Sequence, residues 1–251
     1  MKAIYEPRGR AAEYSALACN LYRGCAHGCT YCYVPDIPGQ APDGRAAFHG
    51  LPEAREGILE ALERDARAMQ KAGDQRPVLL CFTCDPYQPI DVDDVLTRYA
   101  IEILHSYGVP VKILTKGGFR SRRDFNILGG KDGTGPVDEF GVTLTFMEPA
   151  LSRAWEPGAA LPEERLLSLA EARKAGIKTW VSCEPIISLT DTLALIQTAE
   201  PHTDKFMVGK WNHTDAPVSD DFWRLVAHEV TTLLDKLKAD YYIKKDLARY
   251  I

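Results

Sequence analysis

One order of local signals repeats along the chain: an amphipathic stretch, a glycine, and then a short apolar run. The clearest units are Gly73 with 78–82, Gly108 with 111–114, and Gly176 with 179–181. Glycine suits the left-handed residue that commonly ends a helix, and short apolar runs are typical of buried parallel strands. Parallel strands need crossover helices on right-handed connections. The pattern therefore predicts an α/β fold of about six β/α units, with a sheet that curves into a partial barrel.

The same signals predict an order of elements. Helices are predicted at about 52–72, 92–107, 122–128, 162–175, 189–198 and 220–238, and strands at about 18–22, 78–82, 111–114, 141–145, 179–181 and 206–208. The glycine-rich stretch 129–136 precedes a strand rather than a helix, so it is predicted to be a flexible loop and not a phosphate cradle. We expect residues 1–251 to form a single domain, with a core at about 17–210 and a C-terminal helical extension at about 218–251.

Charge and cysteine content narrow the class of protein. A net charge of −5 argues against a strongly basic duplex binder. Basic residues do cluster at 120–123 and at 244–249, the second cluster beginning with Lys244. Each cluster is interpreted either as a solvated helix face or as a local patch that binds nucleic acid. No apolar run is long enough to span a membrane, and the N-terminus lacks the apolar core of a secretion signal. Seven cysteines, three of them clustered, favour a metal site in a reducing compartment, so the cytoplasm is expected.

The cysteine cluster is the clearest chemical motif. Cys25, Cys29 and Cys32 form a C-x3-C-x2-C run among glycines and aromatic residues. Three thiolates on one loop can hold three irons of a [4Fe–4S] cluster and leave the fourth iron open to a small molecule, whereas ferredoxin spacings use four cysteines. The alternative is a closed structural zinc site, with Cys19 or His27 as its fourth ligand.

The other polar motifs follow predicted strands. They are Thr83-Cys84-Asp85-Pro86, Thr115-Lys116-Gly117 and Cys183-Glu184-Pro185. In α/β barrels the functional loops gather at the carboxyl ends of the strands. These motifs and the cysteine run are therefore expected at one rim.

Taken together, the chain resembles the radical S-adenosylmethionine (SAM) superfamily, and within it the spore photoproduct lyase-like group. The matching segments are residues 20–33, 83–88, 114–116, 156–158, 164–166 and 175–177. The resemblance implies a partial (β/α)6 TIM-like barrel, a [4Fe–4S] cluster on Cys25, Cys29 and Cys32, and SAM bound to its open iron. It also implies an enzyme that cleaves SAM reductively to a 5′-deoxyadenosyl radical, with an electron donor such as flavodoxin or ferredoxin.

By position, the resemblance implies four SAM contacts, with five candidate residues. Tyr31 would lie near the adenine, Asp85 would help bind the amino group, and Lys116 would pair with the carboxylate. Thr143 or Thr145 matches a further SAM contact. For Asp85 and Lys116 the alternative is a strand-end cap or a surface ion pair.

Three more residues are candidates for the radical chemistry. Tyr33 matches a family tyrosine near the radical path, or it is a core residue. The lyases carry a cysteine that returns a hydrogen atom to the product, but the corresponding position here is Phe82. Cys81 and Cys84 flank it, and either would donate the hydrogen or simply pack as a small apolar residue.

The substrate candidates are Glu184 and the segment Lys210-Trp211-Asn212-His213. A carboxylate, a cation and a stacking ring suit a nucleic-acid base or nucleotide, in DNA lesion repair or base modification. Each also suits a structural role as an ion pair, a cap or a cover for the barrel end. A peptide or small-metabolite substrate stays open, as does a noncatalytic metal-stabilised binding protein. Oligomeric state is not predicted.

Overall fold

A curved parallel sheet organises the protein. The structure is a computed structural model that describes residues 2–129, 136–212, 214 and 217–251. The strands are β1 (Leu17–Cys19), β2 (Tyr22–Arg23), β3 (Glu53–Ala54), β4 (Val78–Leu80), β5 (Val111–Thr115), β6 (Glu139–Thr143), β7 (Lys178–Ile186), β8 (Lys205–Lys210) and β9 (Tyr241–Ile243). Seven of them pair in the order β1-β4-β5-β6-β7-β8-β9, all parallel, and β2 and β3 form a separate antiparallel pair. The predicted α/β class and partial TIM-like barrel are confirmed.

Helices make the crossovers that parallel pairing requires. They are α1 (Gly44–Gly50), α2 (Ile58–Ala72), α3 (Asp91–Asp94), α4 (Leu96–Ser106), α5 (Pro149–Trp155), α6 (Pro162–Lys174), α7 (Leu189–Ala199), α8 (Asp220–Leu237) and α9 (Lys245–Ala248). Helices α2, α4, α6, α7 and α8 each precede the next strand of the sheet in the chain, and a 3-10 helix at Gly118–Asp124 lies between β5 and β6.

Helix α2 shows how the sequence specifies these crossovers. Its buried side chains recur every three or four residues: Ile58, Ala61, Leu62, Ala66 and Met69. They form one apolar face against the sheet. Gly73 ends the helix with φ of 67°, which costs glycine little. Truncating the fully buried Leu62 to alanine would cost about 2–5 kcal/mol.

Several predicted boundaries are wrong. The helix predicted from Pro52 begins at Ile58, because residues 53–54 pair with β2. The helix predicted at 92–107 is divided into α3 and α4 at Val95, whose φ is 54°. In place of a helix at 122–128, the chain forms the 3-10 helix Gly118–Asp124.

The C-terminal segment is not purely helical. After α8 the chain adds β9 to the sheet beside β8, and Leu247 of α9 is fully buried. The division into a core and an extension stays a prediction. No helix of the described residues is long and apolar enough to cross a membrane. The loop predicted at 129–136 lies almost wholly outside the described residues, and so does His213.

Candidate active site

A cavity of about 520 Å³ opens where the sheet strands end at their carboxyl termini. Loops after β4, β5, β8 and β9 line it, together with the C-terminal part of β7 and the segment 25–33. Its walls include all of the predicted site residues but Thr145: Cys25, Cys29, Tyr31, Cys32, Tyr33, Cys81, Cys84, Asp85, Lys116, Thr143, Glu184, Lys210 and Trp211. Residues predicted from separate motifs therefore share one concave space, as expected for the functional face of such a barrel.

The cysteine loop, residues 24–32, is held from one side by side chains. The amide of Gln88 is fully buried: its Oε1 accepts from the Ala26 backbone N–H at 2.9 Å, and its Nε2 donates to the Gly24 carbonyl at 3.3 Å. His49 Nδ1 lies 2.9 Å from the Cys25 carbonyl oxygen. These contacts fix the backbone on which the thiols stand.

A second segment holds the loop from the other side through its backbone. The Thr30 N–H donates to the Trp155 carbonyl at 2.8 Å, and the Gly158 N–H donates to the His27 carbonyl at 2.9 Å. A Cβ on Gly158 would overlap the Ala26 carbonyl oxygen, so glycine is needed for this close approach. The backbone of residues 155–158 thus fixes the position of the cysteine loop.

The three thiols suit an iron–sulfur cluster as a donor set. They face one cavity, and burial raises the pKa of all three thiols, that of Cys29 to about 12. In the part of the chain that the structure describes, no three His, Cys, Asp or Glu side chains are grouped to hold a single metal ion. A zinc site needs all its ligands around one ion, whereas a four-iron cluster spreads its thiolates over different irons. Three thiols on one cavity wall fit the cluster as a donor set, and the cluster itself stays a prediction.

Beneath the loop lies a buried charged network around Glu156. Its Oε2 accepts from Arg165 Nη2 at 2.5 Å, and its Oε1 accepts from the Tyr31 hydroxyl and lies 3.9 Å from Lys116 Nζ. Burial would raise the pKa of Glu156, but the charges of Arg165 and Lys116 outweigh it and lower that pKa. Burial acts to lower the pKa of Lys116, yet the Cys29 and Glu156 charges raise it overall. Both groups therefore carry their charge.

Asp85 ties two strand ends together. Its carboxylate accepts from the Tyr87 N–H at 2.8 Å, the Thr115 hydroxyl at 2.6 Å and the Lys116 N–H at 2.7 Å. His27 Nδ1 lies 3.4 Å from Oδ2, and burial lowers the pKa of His27 to about 4, so this ring is neutral at pH 7. Asp85 positions the Lys116 backbone, while its predicted contact with the SAM amino group stays a prediction.

The remaining cofactor candidates differ in access. Thr143 is buried but lines the cavity, and its carbonyl accepts from Arg165 Nη1 at 3.1 Å. Thr145 is buried away from the cavity lining, with its hydroxyl 3.4 Å from that of Tyr31. Of the two threonines, the geometry favours Thr143 for direct contact with a ligand.

The radical candidates lie along the cavity wall. Tyr33 follows the cysteine loop, and burial raises the pKa of its phenol to about 12, so it is protonated at neutral pH. Cys81 adopts φ of 64°, a strained value for a residue with a side chain. Burial, and a hydrogen bond with the Cys84 thiol, raise the pKa of Cys81. Both cysteines face the cavity, and the raised pKa keeps Cys81 as a protonated thiol, which is the form that can give up a hydrogen atom.

The wall formed by β7, β8 and β9 carries a buried charge cluster, which we call the far cluster (Tyr14, Glu184 and Lys244). The carboxylate of Glu184 accepts from the Tyr14 hydroxyl and from the Lys244 ammonium. A Cβ on Gly209 would lie 2.8 Å from the Cδ atoms of both Glu184 and Lys244, so the pair packs directly on backbone. Burial lowers the pKa of Lys244, although Glu184 opposes this.

Two predicted substrate residues stand beside this cluster. Lys210 Nζ lies 4.7 Å from the Trp223 ring centroid and 5.2 Å from that of Tyr250. The Trp211 ring packs edge-to-face on Trp155 at 5.7 Å, and its buried indole Nε1 has no hydrogen-bond partner among the described residues. A buried donor of this kind usually has a partner, so the indole N–H is available to one.

Sequence reasoning missed Gln88, Glu156 and Arg165, although the matching segments 83–88, 156–158 and 164–166 contained them. It missed Tyr14, and it gave Lys244 as part of a solvated helix face or patch. The structure instead buries Lys244 to 1% exposure. A basic run of this kind carries no local signal that one of its members will enter the core.

Comparison with known proteins identifies the family. The family model described as the Radical SAM superfamily matches residues 19–197. The chain belongs to the radical SAM superfamily. Relatives of this radical SAM protein include uncharacterized proteins of Mycobacterium tuberculosis and Mycobacterium bovis, each 30% identical over 181 residues, covering 69% of this chain and 50% of the relative. The chain thus spans about half the length of the curated relatives it matches.

Solved structures show the same fold at low identity. A mutant of spore photoproduct lyase aligns with a TM-score of 0.72 at 13% identity over 97% of this chain and 79% of that one. Spore photoproduct lyase complexed with dinucleoside spore photoproduct gives 0.70 at 14% identity, covering 95% and 79%. Streptococcus suis SuiB bound to S-adenosylmethionine gives 0.65 at 13% identity, covering 90% and 49%. These matches confirm a fold similar to that of the lyase, while the family model confirms the predicted superfamily.

Proposed function

We propose that this protein is a radical SAM enzyme whose Cys25, Cys29 and Cys32 hold a [4Fe–4S] cluster and whose Lys116 binds the SAM carboxylate. When bound, these groups supply an electron and a 5′-deoxyadenosyl radical that takes a hydrogen atom from the substrate. The observation that carries the proposal is the single cavity in which the three thiols, Lys116 and the radical candidates meet.

The chain's own residues prepare the cofactor end. The Lys116 ammonium lines the cavity and is charged, so it offers a charge-assisted contact to a carboxylate. Tyr31 and Thr143 line the same wall, and Thr145 acts through its contact with Tyr31. Asp85 positions Lys116 through the backbone. The enclosing walls exclude water, which would otherwise compete for these contacts.

For the return of hydrogen we assign Cys81 or Cys84 as donor and Tyr33 as the neighbouring phenol. All three line the cavity, and the raised pKa values of Tyr33 and Cys81 keep the O–H and S–H bonds of those two residues in place. The doubly substituted variant Cys81→Ala with Cys84→Ala should then lose clean product formation while still cleaving SAM. Full, clean product formation by that variant would remove both cysteines from the mechanism.

The substrate that we propose is a nucleic-acid base or nucleotide, in lesion repair or base modification. Trp211 offers a stacking ring and an indole N–H, Lys210 a cation, and Glu184 an acceptor, at the wall away from the cysteine loop. A structure of similar fold is spore photoproduct lyase complexed with dinucleoside spore photoproduct. Another of similar fold is SuiB bound to precursor peptide, so a peptide belongs in the assay as the competing substrate.

Two features of the cellular setting complete the proposal. An electron donor such as flavodoxin or ferredoxin would reduce the cluster. All seven cysteines are free thiols, which is consistent with the reducing cytoplasm as the site of action.

Anaerobic reconstitution tests the central claim. The protein should take up about four irons per chain and release 5′-deoxyadenosine only after reduction. Cys25→Ala should abolish both, whereas Cys183→Ala, at a buried cysteine outside the cavity lining, should leave both intact. Stoichiometric zinc without iron would instead identify a noncatalytic metal-stabilised binding protein.

A substrate panel tests the finer claim. UV-irradiated DNA, unmodified DNA, free nucleotides and peptides would be supplied in turn, and substrate mass and 5′-deoxyadenosine would be followed. A nucleic-acid product is expected. Turnover confined to peptides would contradict the proposed substrate class and leave the radical chemistry standing.

A further inference from the structure

The carboxylate of Glu156 separates two environments beneath the cysteine loop. Its Oε1 faces the cavity side, where it accepts from Tyr31 and lies 3.9 Å from Lys116 Nζ. Its Oε2 faces the interior, where it accepts from Arg165 at 2.5 Å and lies 3.4 Å from the Ser152 hydroxyl. One buried carboxylate therefore connects a structural ion pair with two cavity-lining side chains.

Charge counting shows which cation is left over. Glu156 carries one negative charge against the two positive charges of Arg165 and Lys116. Arg165 is 1% exposed, and it also donates to the Ala160 carbonyl at 2.8 Å and the Thr143 carbonyl at 3.1 Å, so it cannot turn into the cavity. Lys116 has the longer contact with Glu156 and a side chain that is 17% exposed. Within this network, the positive charge that Glu156 does not neutralise therefore lies on Lys116, at the cavity wall, where the Asp85 carboxylate also acts on it.

Glu156 also restricts where that charge can lie. A lysine side chain has several rotatable bonds and is held by a nearby acceptor only as a point charge. Here Lys116 Nζ stays within reach of Glu156 Oε1 and lies 5.5 Å from the Tyr31 ring centroid. The phenol of Tyr31 is oriented by the same oxygen.

We propose that Glu156 is a positioning residue for the cofactor: Arg165 neutralises it, and it holds Lys116 and Tyr31 where they meet the carboxylate and the adenosine part of SAM. The assignment rests on the proposed function. It predicts that moving the Glu156 carboxylate weakens recognition of the SAM carboxylate specifically, because Glu156 acts through Lys116.

The test uses reconstituted protein, two ligands and Glu156→Asp, which keeps the charge and withdraws it by one methylene. Calorimetric titration should show the SAM dissociation constant rising about tenfold. Affinity for 5′-methylthioadenosine, which has no carboxylate, should stay within about twofold. Glu163→Asp, the same substitution at an exposed position of α6, is the matched control and should change neither.

A double-mutant cycle shows whether the effect passes through Lys116. Lys116→Met should weaken SAM binding less in the Glu156→Asp background than in the wild type, since the two changes disrupt one contact. If Glu156→Asp does not fold, Glu156→Gln combined with Arg165→Gln removes both charges and gives the same comparison of ligands.

The outcomes separate this inference from the function it rests on. Wild-type protein with full iron content that does not bind SAM overturns the proposed function and this assignment with it. Normal SAM affinity in the Glu156 variants, equal weakening of both ligands, or additive effects with Lys116→Met overturn the positioning role alone.

Discussion

The cysteine loop and the far cluster line the same cavity but are built in opposite ways. The loop takes its three thiols from one short segment, and it is held by the Gln88 and His49 side chains on one side and by two backbone hydrogen bonds from residues 155–158 on the other. The far cluster joins Tyr14 with Glu184 of β7, 170 positions away, and with Lys244 after β9, whose ammonium is buried against Glu184. A local motif can be read from sequence, whereas a cluster of distant residues depends on how the strands pack.

The largest effect on stability is expected when the buried lysine of the far cluster is removed. Lys244→Met leaves the carboxylate of Glu184, whose side chain is 18% exposed, without its ammonium partner, so the free energy of unfolding should fall by about 3 kcal/mol. Urea denaturation measures this. Lys245→Met, at the exposed neighbouring position, should change stability by less than about 0.5 kcal/mol. If Lys244→Met and Lys245→Met both changed the free energy of unfolding by a small and equal amount, the pair of Lys244 and Glu184 would not stabilise the fold.

The matching change at the cysteine loop is Gly158→Ala. The new methyl group would overlap the Ala26 carbonyl oxygen, so the loop must shift, at a cost of about 1–3 kcal/mol. Iron uptake should fall with it, because the thiols move with their backbone. Gly50→Ala adds its methyl group in open space and serves as control. Normal iron content in Gly158→Ala would show that the close contact between residues 155–158 and the cysteine loop is not needed for iron uptake.

Acid should weaken the Glu156 network beneath the loop. The pKa of Glu156 is below its ordinary value of 4.5, so its stabilising effect is complete above pH 4.5. It is lost as pH falls through the lower, folded-state pKa. Stability measured from pH 6 downwards should therefore drop less steeply in Glu156→Gln with Arg165→Gln than in the wild type. Parallel curves would contradict a charged Glu156.

The smallest effect is expected at the outer edge of the loop. Arg45 donates to the Cys32 carbonyl at 2.7 Å and pairs with Asp36, but its side chain is 43% exposed. Arg45→Ala should cost less than about 1 kcal/mol in thermal or urea unfolding, and iron content should be unchanged. A large loss of iron would show that Arg45, in addition to residues 155–158, is needed to hold the cysteine loop.

Much of the architecture follows from local rules. The buried face of α2, the glycine that ends it and the apolar run of β4 all lie within one contiguous stretch, so periodicity is enough to predict them. The prediction that a helix begins at Pro52 is wrong because residues 53–54 pair with β2, a contact that local propensity does not encode. Val95 divided the next helix although its sequence reads as continuous.

The sequence by itself determined the superfamily, the strand-end positions of the polar motifs and the three thiols of the cysteine loop. These depend on spacing along the chain and on the parallel arrangement that the repeated pattern imposes. Only the tertiary structure decided that Glu156 and Arg165 lie beneath the loop, and that Lys244 enters the core against Glu184 and Tyr14. The physical reason is that a buried charge requires a partner, and that partner comes from whichever strand packs beside it.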